Sequence, residues 1–348
     1  MKKSKIITIL LVLIMTILTM AGCSNQDKEV LNVFNWGQYI DDEVLDMFEE
    51  ETGIKVNYQE FTTNEDMYTK VAAGAEKYDV LIPSDYMIQR LIEEDRLYEL
   101  NVDNIPNAVN IMESLRGLSH DAEDKYSVPY MWGTVGILYN KTMVDDVVDS
   151  WDILWNPKYQ QKILMYDSQR DSFMVSLTRL GYSMNTTNID EIEEAKQELQ
   201  KQRDLVLAYV VDEAKDKMIS EEAALTMIWS GEAIAAQWEN EDLVYVIPKE
   251  ESNIWVDSMV IPKTSENKEA AEMFINFMAR DDISVKNMEW IGYTSANTNV
   301  RDMIDEEWAA STTAYPDLEA LERLDVFTYN QEIMSVLNNA WIEIFTTN

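Results

Sequence analysis

The sequence predicts an α/β fold, strands alternating with helices in mostly parallel sheets that the helices cover. Three observations carry this. Short apolar or alternating runs recur between stretches of helical spacing, and capping residues stand just ahead of those stretches. The length of 348 residues suits two domains. No Pro/Gly/Ser-rich linker, internal repeat or low-complexity block divides the chain. Two domains without a linker imply a chain that crosses between them more than once.

The elements follow in order. Asn32-Val33-Phe34 is a first strand. Asp41-Asp42 caps a helix with Val44, Met47 and Phe48 on one face, and Gly53 ends it. Ile54, Val56 and Tyr58 alternate as on a strand. Thr63-Asn64-Glu65-Asp66 fits a capping box that opens the next helix. Tyr78 to Ile82 is a short strand stopped by Pro83, and Ser84 caps a helix from Asp85 to about Asp95. Ile189 to Arg203 reads as a helix and Leu205 to Val211 as a strand. Glu221 to Ile228 is expected as a helix, and Ile234 to Trp238 and Leu243 to Ile247 as strands. Asn267 to Arg280 is a helix with Ala271, Phe274, Ile275 and Met278 on one face.

The N-terminus reads as an address. Lys2, Lys3 and Lys5 precede a 15-residue, mostly apolar run from Ile6 to Met20, then Ala21, Gly22 and Cys23. That run is too short for an ordinary spanning helix and matches a secretory signal. The small residues before Cys23 resemble a lipobox, with Met20 where leucine is usual. Ordinary signal cleavage with an incidental thiol is the plainer alternative. Cleavage ahead of Cys23 removes three lysines and no acid, taking the formal charge from −36 to −39. The mature protein is expected to be exported and tethered outside a membrane.

Composition excludes several chemistries. With 28 Lys+Arg against 64 Asp+Glu, the chain lacks the basic surface that nucleic acid requires. The acidity suits a cationic partner, and equally a merely soluble surface. One histidine, His120, rules out a two-His zinc site and leaves a Ser-His-Asp triad a single candidate; it is expected in a loop. One cysteine rules out an intrachain disulfide. There is no G-x-S-x-G elbow, H-E-x-x-H or P-loop.

In open α/β sheets, ligands bind beyond the carboxyl ends of the strands. Here those positions hold aromatics and carboxylates: Asn35-Trp36-Gly37-Gln38-Tyr39, Ser84-Asp85-Tyr86, Tyr130-Met131-Trp132-Gly133, Asp167-Ser168-Gln169-Arg170-Asp171, Trp229-Ser230-Gly231 and Trp255-Val256-Asp257-Ser258. Aromatic faces attract ammonium groups, carboxylates bind them through charge-assisted hydrogen bonds, and the rings accept the methylenes between. The set therefore matches a linear diamine or triamine. It also suits a sugar stacked on tryptophan, or a glycosidase with two carboxylates. Each tryptophan could serve a core instead, and Asp41 and Asp85 could be helix caps.

Taken in order, Phe34-Asn35-Trp36 through Tyr39, Glu51-Thr52-Gly53-Ile54-Lys55-Val56, Tyr78-Asp79-Val80, Pro129-Tyr130-Met131-Trp132-Gly133, Leu180-Gly181-Tyr182-Ser183, Met227-Ile228-Trp229 with Gly231, Trp255-Val256-Asp257-Ser258 and Ile291-Gly292-Tyr293 resemble the spermidine/putrescine-binding proteins of bacterial polyamine ABC transporters. The resemblance runs through essentially the whole mature chain. It implies a two-lobed periplasmic-binding-protein-like fold of type II, each lobe a sheet flanked by helices, with the ligand in the cleft between them. It divides the chain into a signal peptide (1–22), a lipidated Cys23 with its tether (23–28), an N-terminal lobe (29–137 plus 261–305) and a C-terminal lobe (138–260 plus 306–348).

By position, the resemblance assigns Trp36, Tyr39, Ser84, Tyr86 and Tyr293 to the ligand from the first lobe. Asp171, Trp229, Trp255 and Asp257 would come from the second lobe or the crossover. Asp257 should hold a terminal or secondary amine, Asp171 a terminal amine, and Trp255 the methylene chain. Tyr130 and Trp132 would be cleft neighbours. No catalytic residue, cofactor or metal is implied. The implied partners are the polyamine and a membrane permease, with the protein itself a monomer. The alternatives are a sugar or amino-acid binder of the same fold, and a secreted glycosidase. Three positions depart from some members: Ser168 replaces a second carboxylate, Val211 replaces a serine, and the Val326-Phe327 region lacks a glutamine. Glu239 and Glu241 could compensate, or be solvated.

Overall fold

The structure, a computed structural model, describes residues 30–346 except 75 and 212. The expected signal segment, Cys23 and its tether lie outside the described residues. β1 (Val30–Trp36) leads to α1 (Asp42–Thr52). The Asp41 carboxylate accepts from the Glu43 N–H, and Gly53 closes α1 at φ 76°, a left-handed turn that glycine adopts without strain. β2 (Lys55–Phe61) follows, then α2 (Asn64–Ala73), whose Thr63 hydroxyl accepts from the Asp66 N–H. β3 (Val80–Leu81) leads to α3 (Asp85–Glu93). Ser84 precedes α3 without capping it.

β4 (Ser127–Asn140) is the longest strand described, about 45 Å at the usual rise. After it come β5 (Ile163–Tyr166), α4 (Gln169–Arg179), α5 (Ile189–Gln202), β6 (Val206–Val210), α6 (Glu213–Ile219), β7 (Leu225–Trp229), α7 (Ser230–Glu239), β8 (Leu243–Val246) and β9 (Ser252–Val260). The chain finishes through α8 (Lys268–Met278), α9 (Asp281–Ile291), β10 (Thr294–Ser295), α10 (Glu306–Ala310), α11 (Leu318–Leu321), β11 (Leu324–Asp325) and α12 (Gln331–Thr346).

The main strand order is β2-β1-β3-β9-β4-β7-β5-β6. Parallel pairing holds in the flanks, where β1 joins β2 and β3, and β5 joins β6 and β7. The middle departs from the mostly parallel expectation: β9 and β4 run antiparallel to each other and to their neighbours β3 and β7. The reason is geometric. β4 pairs β9 through Ser127–Thr134 and then β7 and β8 through Val135–Asn140. A strand that passes straight from one half into the other needs no covering helix, and its partner returns antiparallel. One core gathers Leu31, Val33, Val44, Phe48, Phe274 and Ile275. Another gathers Ile137, Trp151, Leu164, Met165, Leu225 and Ile228.

Two expected elements are corrected. Residues 221–228 do not form a helix: β7 occupies Leu225–Trp229 and the helix lies upstream, at α6. β7 sits between β4 and β5 with Leu225 to Ile228 all buried. A strand covered on both faces carries an unbroken apolar run, so alternation cannot mark it. Residues 234–238 are not a strand but the second half of α7, where Ala233, Ile234 and Ala236 face inward. His120 lies not in an open loop but buried in a 3-10 turn over Ser119–Asp121. Burial pushes its pKa down to about 4, so it is neutral at physiological pH.

Candidate functional site

The centre of the site is a buried carboxylate. β9 carries Asp257 opposite Met131 of β4, and Ser84 bridges it in an antiparallel pair. Asp257 is 6 % exposed. The Tyr39 hydroxyl donates to one of its oxygens at 2.9 Å and the Ser84 hydroxyl to the other at 2.7 Å. Both donors are themselves held. The Tyr39 carbonyl accepts from the Asn35 amide and the Tyr130 hydroxyl. The Asn64 side chain grips Ser84, donating to its hydroxyl at 3.1 Å and accepting from its N–H at 3.2 Å. Ser84 thus aims its hydroxyl across the sheet instead of capping α3.

Burial raises the Asp257 pKa to about 6, against the pull of the Ser84 and Tyr39 hydrogen bonds. Among the described residues, no lysine or arginine forms an ion pair with it. Asp85, next to Ser84, is 1 % exposed. It accepts from the backbone N–H of Tyr86 (2.6 Å) and of Val256 (3.2 Å), so it takes up an amide in the first turn of α3 and ties that turn to β9. Burial raises its pKa to about 7, opposed by those two N–H groups, with the Asp257 charge adding to the rise.

Aromatic rings stand beside Asp257. The Trp255 ring crosses Gly133, its register partner on β4, where an added Cβ would lie 2.4 Å from ring atom Cζ2. Tyr293 leans on Trp255, with ring centroids 5.4 Å apart, and meets Tyr39 edge-on at 5.9 Å. Tyr293 also abuts Gly231, in the first turn of α7, where a Cβ would come within 1.4 Å of its Cδ1. Glycine is therefore required in a helix where alanine would add about 1 kcal/mol of helix stability. Gly231→Ala is expected to displace Tyr293, weaken ligand binding and cost about 1–3 kcal/mol of stability, because the overlap outweighs the helix gain. Parallel melting curves and titrations of the variant check this, and unchanged affinity would show that Tyr293 contributes no wall.

A third buried carboxylate lies in the first turn of α4. Asp171 is 7 % exposed and accepts from the Ser168 hydroxyl at 2.5 Å. Burial raises its pKa; Ser168, the Arg170 charge and hydrogen bonding from the Trp229 side chain counter that rise. Trp229 is set by Tyr166, whose ring meets it edge-on at 4.8 Å and whose hydroxyl accepts from its backbone N–H at 3.1 Å.

The expected site residues therefore fall into two groups. Tyr39, Ser84, Asp257, Trp255 and Tyr293 form one, and Asp171 with Trp229 forms the other. Tyr86 stands between them: its hydroxyl is bonded to Asn64 and Glu65, and its ring face is covered by the Arg170 guanidinium at 4.0 Å. Trp36 lies off the Asp257 cluster, its ring packed on Phe61 at 4.7 Å and its buried Nε1 without a partner. Trp255 also keeps a buried, unpartnered Nε1. Tyr130 supports Tyr39 from behind, and Trp132 is buried. Of the departures, Ser168 now anchors Asp171, and Phe327 lies 5.0 Å beneath Arg170. Glu239 and Glu241 are solvated.

Sequence reasoning missed two contributors, Asn64 and Arg170, and left Asp85 open between a strand-end carboxylate of the site and a helix cap. Asn64 is visible only as part of a capping box. Arg170 was visible only as the neighbour of Asp171. No group of three or more metal-ligating side chains converges among the described residues. The arrangement is thus Asp257 with Asp85 in one place and Asp171 in another, all buried, with aromatic faces around them. Carboxylates beside aromatic faces suit cations.

Comparison with known proteins agrees. The family model of the bacterial extracellular solute-binding protein matches residues 43–319. The spermidine/putrescine-binding periplasmic protein of Escherichia coli K12 is 35% identical over 307 residues, covering 88% of each chain. A crystal structure of a spermidine/putrescine ABC transporter substrate-binding protein from Streptococcus pneumoniae superposes with a TM-score of 0.82 at 39% identity, covering 91% of this chain and 98% of that one. A lipoprotein of Treponema pallidum superposes with a TM-score of 0.81 at 25% identity, covering 91% and 99%. The two-lobed architecture is shared with these neighbours. The chain belongs to the bacterial extracellular solute-binding protein family.

Proposed function

We propose that this protein captures polyamines, spermidine or putrescine, outside the cytoplasm and delivers them to the permease of an ABC transporter. The observation that carries the reading is Asp257: a buried carboxylate, held by two hydroxyls, flanked by Trp255 and Tyr293, and without an ion-pair partner among the described residues. Leaving an ionised carboxylate buried and unpaired is costly. A ligand ammonium would supply the missing charge, with the methylene chain along the rings. Asp171 would take a second ammonium. A neutral sugar would leave both carboxylates uncompensated.

The protein binds without turnover, as a monomer, by closure of two lobes over the ligand. The lobes comprise 29–137 with 261–305 and 138–260 with 306–348, and β4 spans the boundary between them. The closed shape is what the permease reads. Among the described residues, no helix is long and apolar enough to cross a membrane. The Ala21-Gly22-Cys23 motif supports cleavage after Gly22 and a lipid anchor on Cys23 at the outer face.

The test is calorimetric titration of the 24–348 protein with putrescine, spermidine, a neutral disaccharide and glutamate in moderate salt. Saturable one-to-one binding of a polyamine alone is the expected result. Silence toward both amines, or tighter binding of the disaccharide or glutamate, would overturn the reading.

A further inference from the structure

A site that suits cations already contains one. Arg170 is the second residue of α4, between Gln169 and Asp171. Its guanidinium lies 4.0 Å from the centre of the Tyr86 ring and 5.0 Å from that of Phe327, and Nη1 donates to the Thr328 carbonyl at 3.3 Å. It is held by two π faces and a carbonyl oxygen, on an aromatic that the family resemblance assigns to the ligand. The Tyr86 hydroxyl is engaged as well, since it donates to Glu65. The Arg170 charge reaches the buried carboxylates on either side, opposing the rise in pKa that burial gives Asp85 and Asp171. The cleft thus presents Asp257 and Asp171 to a ligand, and balances part of its negative charge internally at the Tyr86 end.

We propose that Arg170 is the specificity-determining residue of this cleft, its guanidinium occupying the aromatic slot that the additional ammonium of a longer amine would need and biasing selection toward amines of low charge. The proposal rests on the polyamine reading above. A like charge held in place disfavours one ligand over another more sharply than a missing contact does, because its repulsion falls with distance and is largest for the ligand that brings an extra charge to that spot. Phe327 gives the guanidinium a second ring to lie on, so it contributes to the same device.

The experiment is titration of the 24–348 protein, as wild type, Arg170→Gln and Arg170→Lys, with putrescine, spermidine and spermine at pH 7.5 and one salt concentration. In Arg170→Gln the spermine-to-putrescine affinity ratio is expected to rise about tenfold or more, the scale of one partly buried like-charge contact. Arg170→Lys keeps the charge and should hold the ratio near wild type. Should Arg170→Gln not fold, Phe327→Leu removes one of the supporting rings and should move the ratio in the same direction by less. An unmoved ratio with amine binding intact overturns the proposal alone. An equal rise in Arg170→Lys overturns it too, since the charge would then not be the cause. Wild type that binds none of the three amines overturns the polyamine reading and this inference together.

Discussion

Asp257→Asn is expected to weaken spermidine and putrescine binding by about 2–5 kcal/mol, the usual result of leaving a buried ammonium without its ion partner. The same substitution should raise the melting temperature of the ligand-free protein at pH 7.5. The sign follows from linkage. Burial lifts the folded pKa of Asp257 to about 6, above the unfolded value. The folded state therefore binds the proton more tightly, and stability falls as pH rises from about 4 through 6. At pH 7.5 that penalty is fully present, about 1.4 kcal/mol for every tenfold by which burial tightens the hold on the proton. An amide carries no charge to desolvate, although either the Tyr39 or the Ser84 hydroxyl must turn to face its NH₂ group. Titration and melting of one sample measure both effects. An affinity within about threefold of wild type, less than 1 kcal/mol, would remove Asp257 from the site.

Trp255→Ala should weaken polyamine binding by about 2–3 kcal/mol while leaving the ligand-free fold near its wild-type stability. The loss combines a cation–π contact with the burial of several methylenes against the ring. Stability should change little because the ring is only partly buried, crosses a glycine and leaves its Nε1 unpartnered. A side chain that filled a core would show the reverse, a large melting loss with whatever binding survives. Trp255→Phe should restore part of the affinity, since it keeps an aromatic face on the same strand position.

How far the fold was legible depended on whether cap and period coincided. Asp41 with Gly53, Thr63 with Asp66, and the Ala271-Phe274-Ile275-Met278 stripe each gave one consistent answer, and the helices stand there. The stretch from Glu221 to Trp238 offered no such agreement. Its apolar run is buried on both faces as β7, and the alanines that follow build α7. The antiparallel middle of the sheet was hidden too, because local pattern does not tell that β4 serves two halves.

The site divided in the same way. Residue types at strand ends announced carboxylates among aromatics. Which of them meet was not readable locally: Tyr39 and Ser84 reach Asp257 across 218 and 173 residues of chain, and only the family resemblance joined them. Asp85 does take up a local amide at the start of its helix, and nothing in the local pattern shows that it also reaches Val256, or that Asn64 reaches Ser84 and Tyr86. Arg170 was passed over because a lone cation in an acidic loop has no spacing to mark it.

The central claim, that an ammonium meets a buried carboxylate at Asp257, is tested most directly by the proton balance of binding. Spermidine titrations at pH 6, run in two buffers of different ionisation enthalpy, report protons exchanged on binding. With its pKa at about 6, the ligand-free Asp257 is about half protonated there, and an ammonium can pair only with the ionised form. The expected result is net proton release at pH 6 that is reduced in Asp257→Asn. Spermidine binding at pH 6 with no proton release, or with release undiminished in Asp257→Asn, would contradict it.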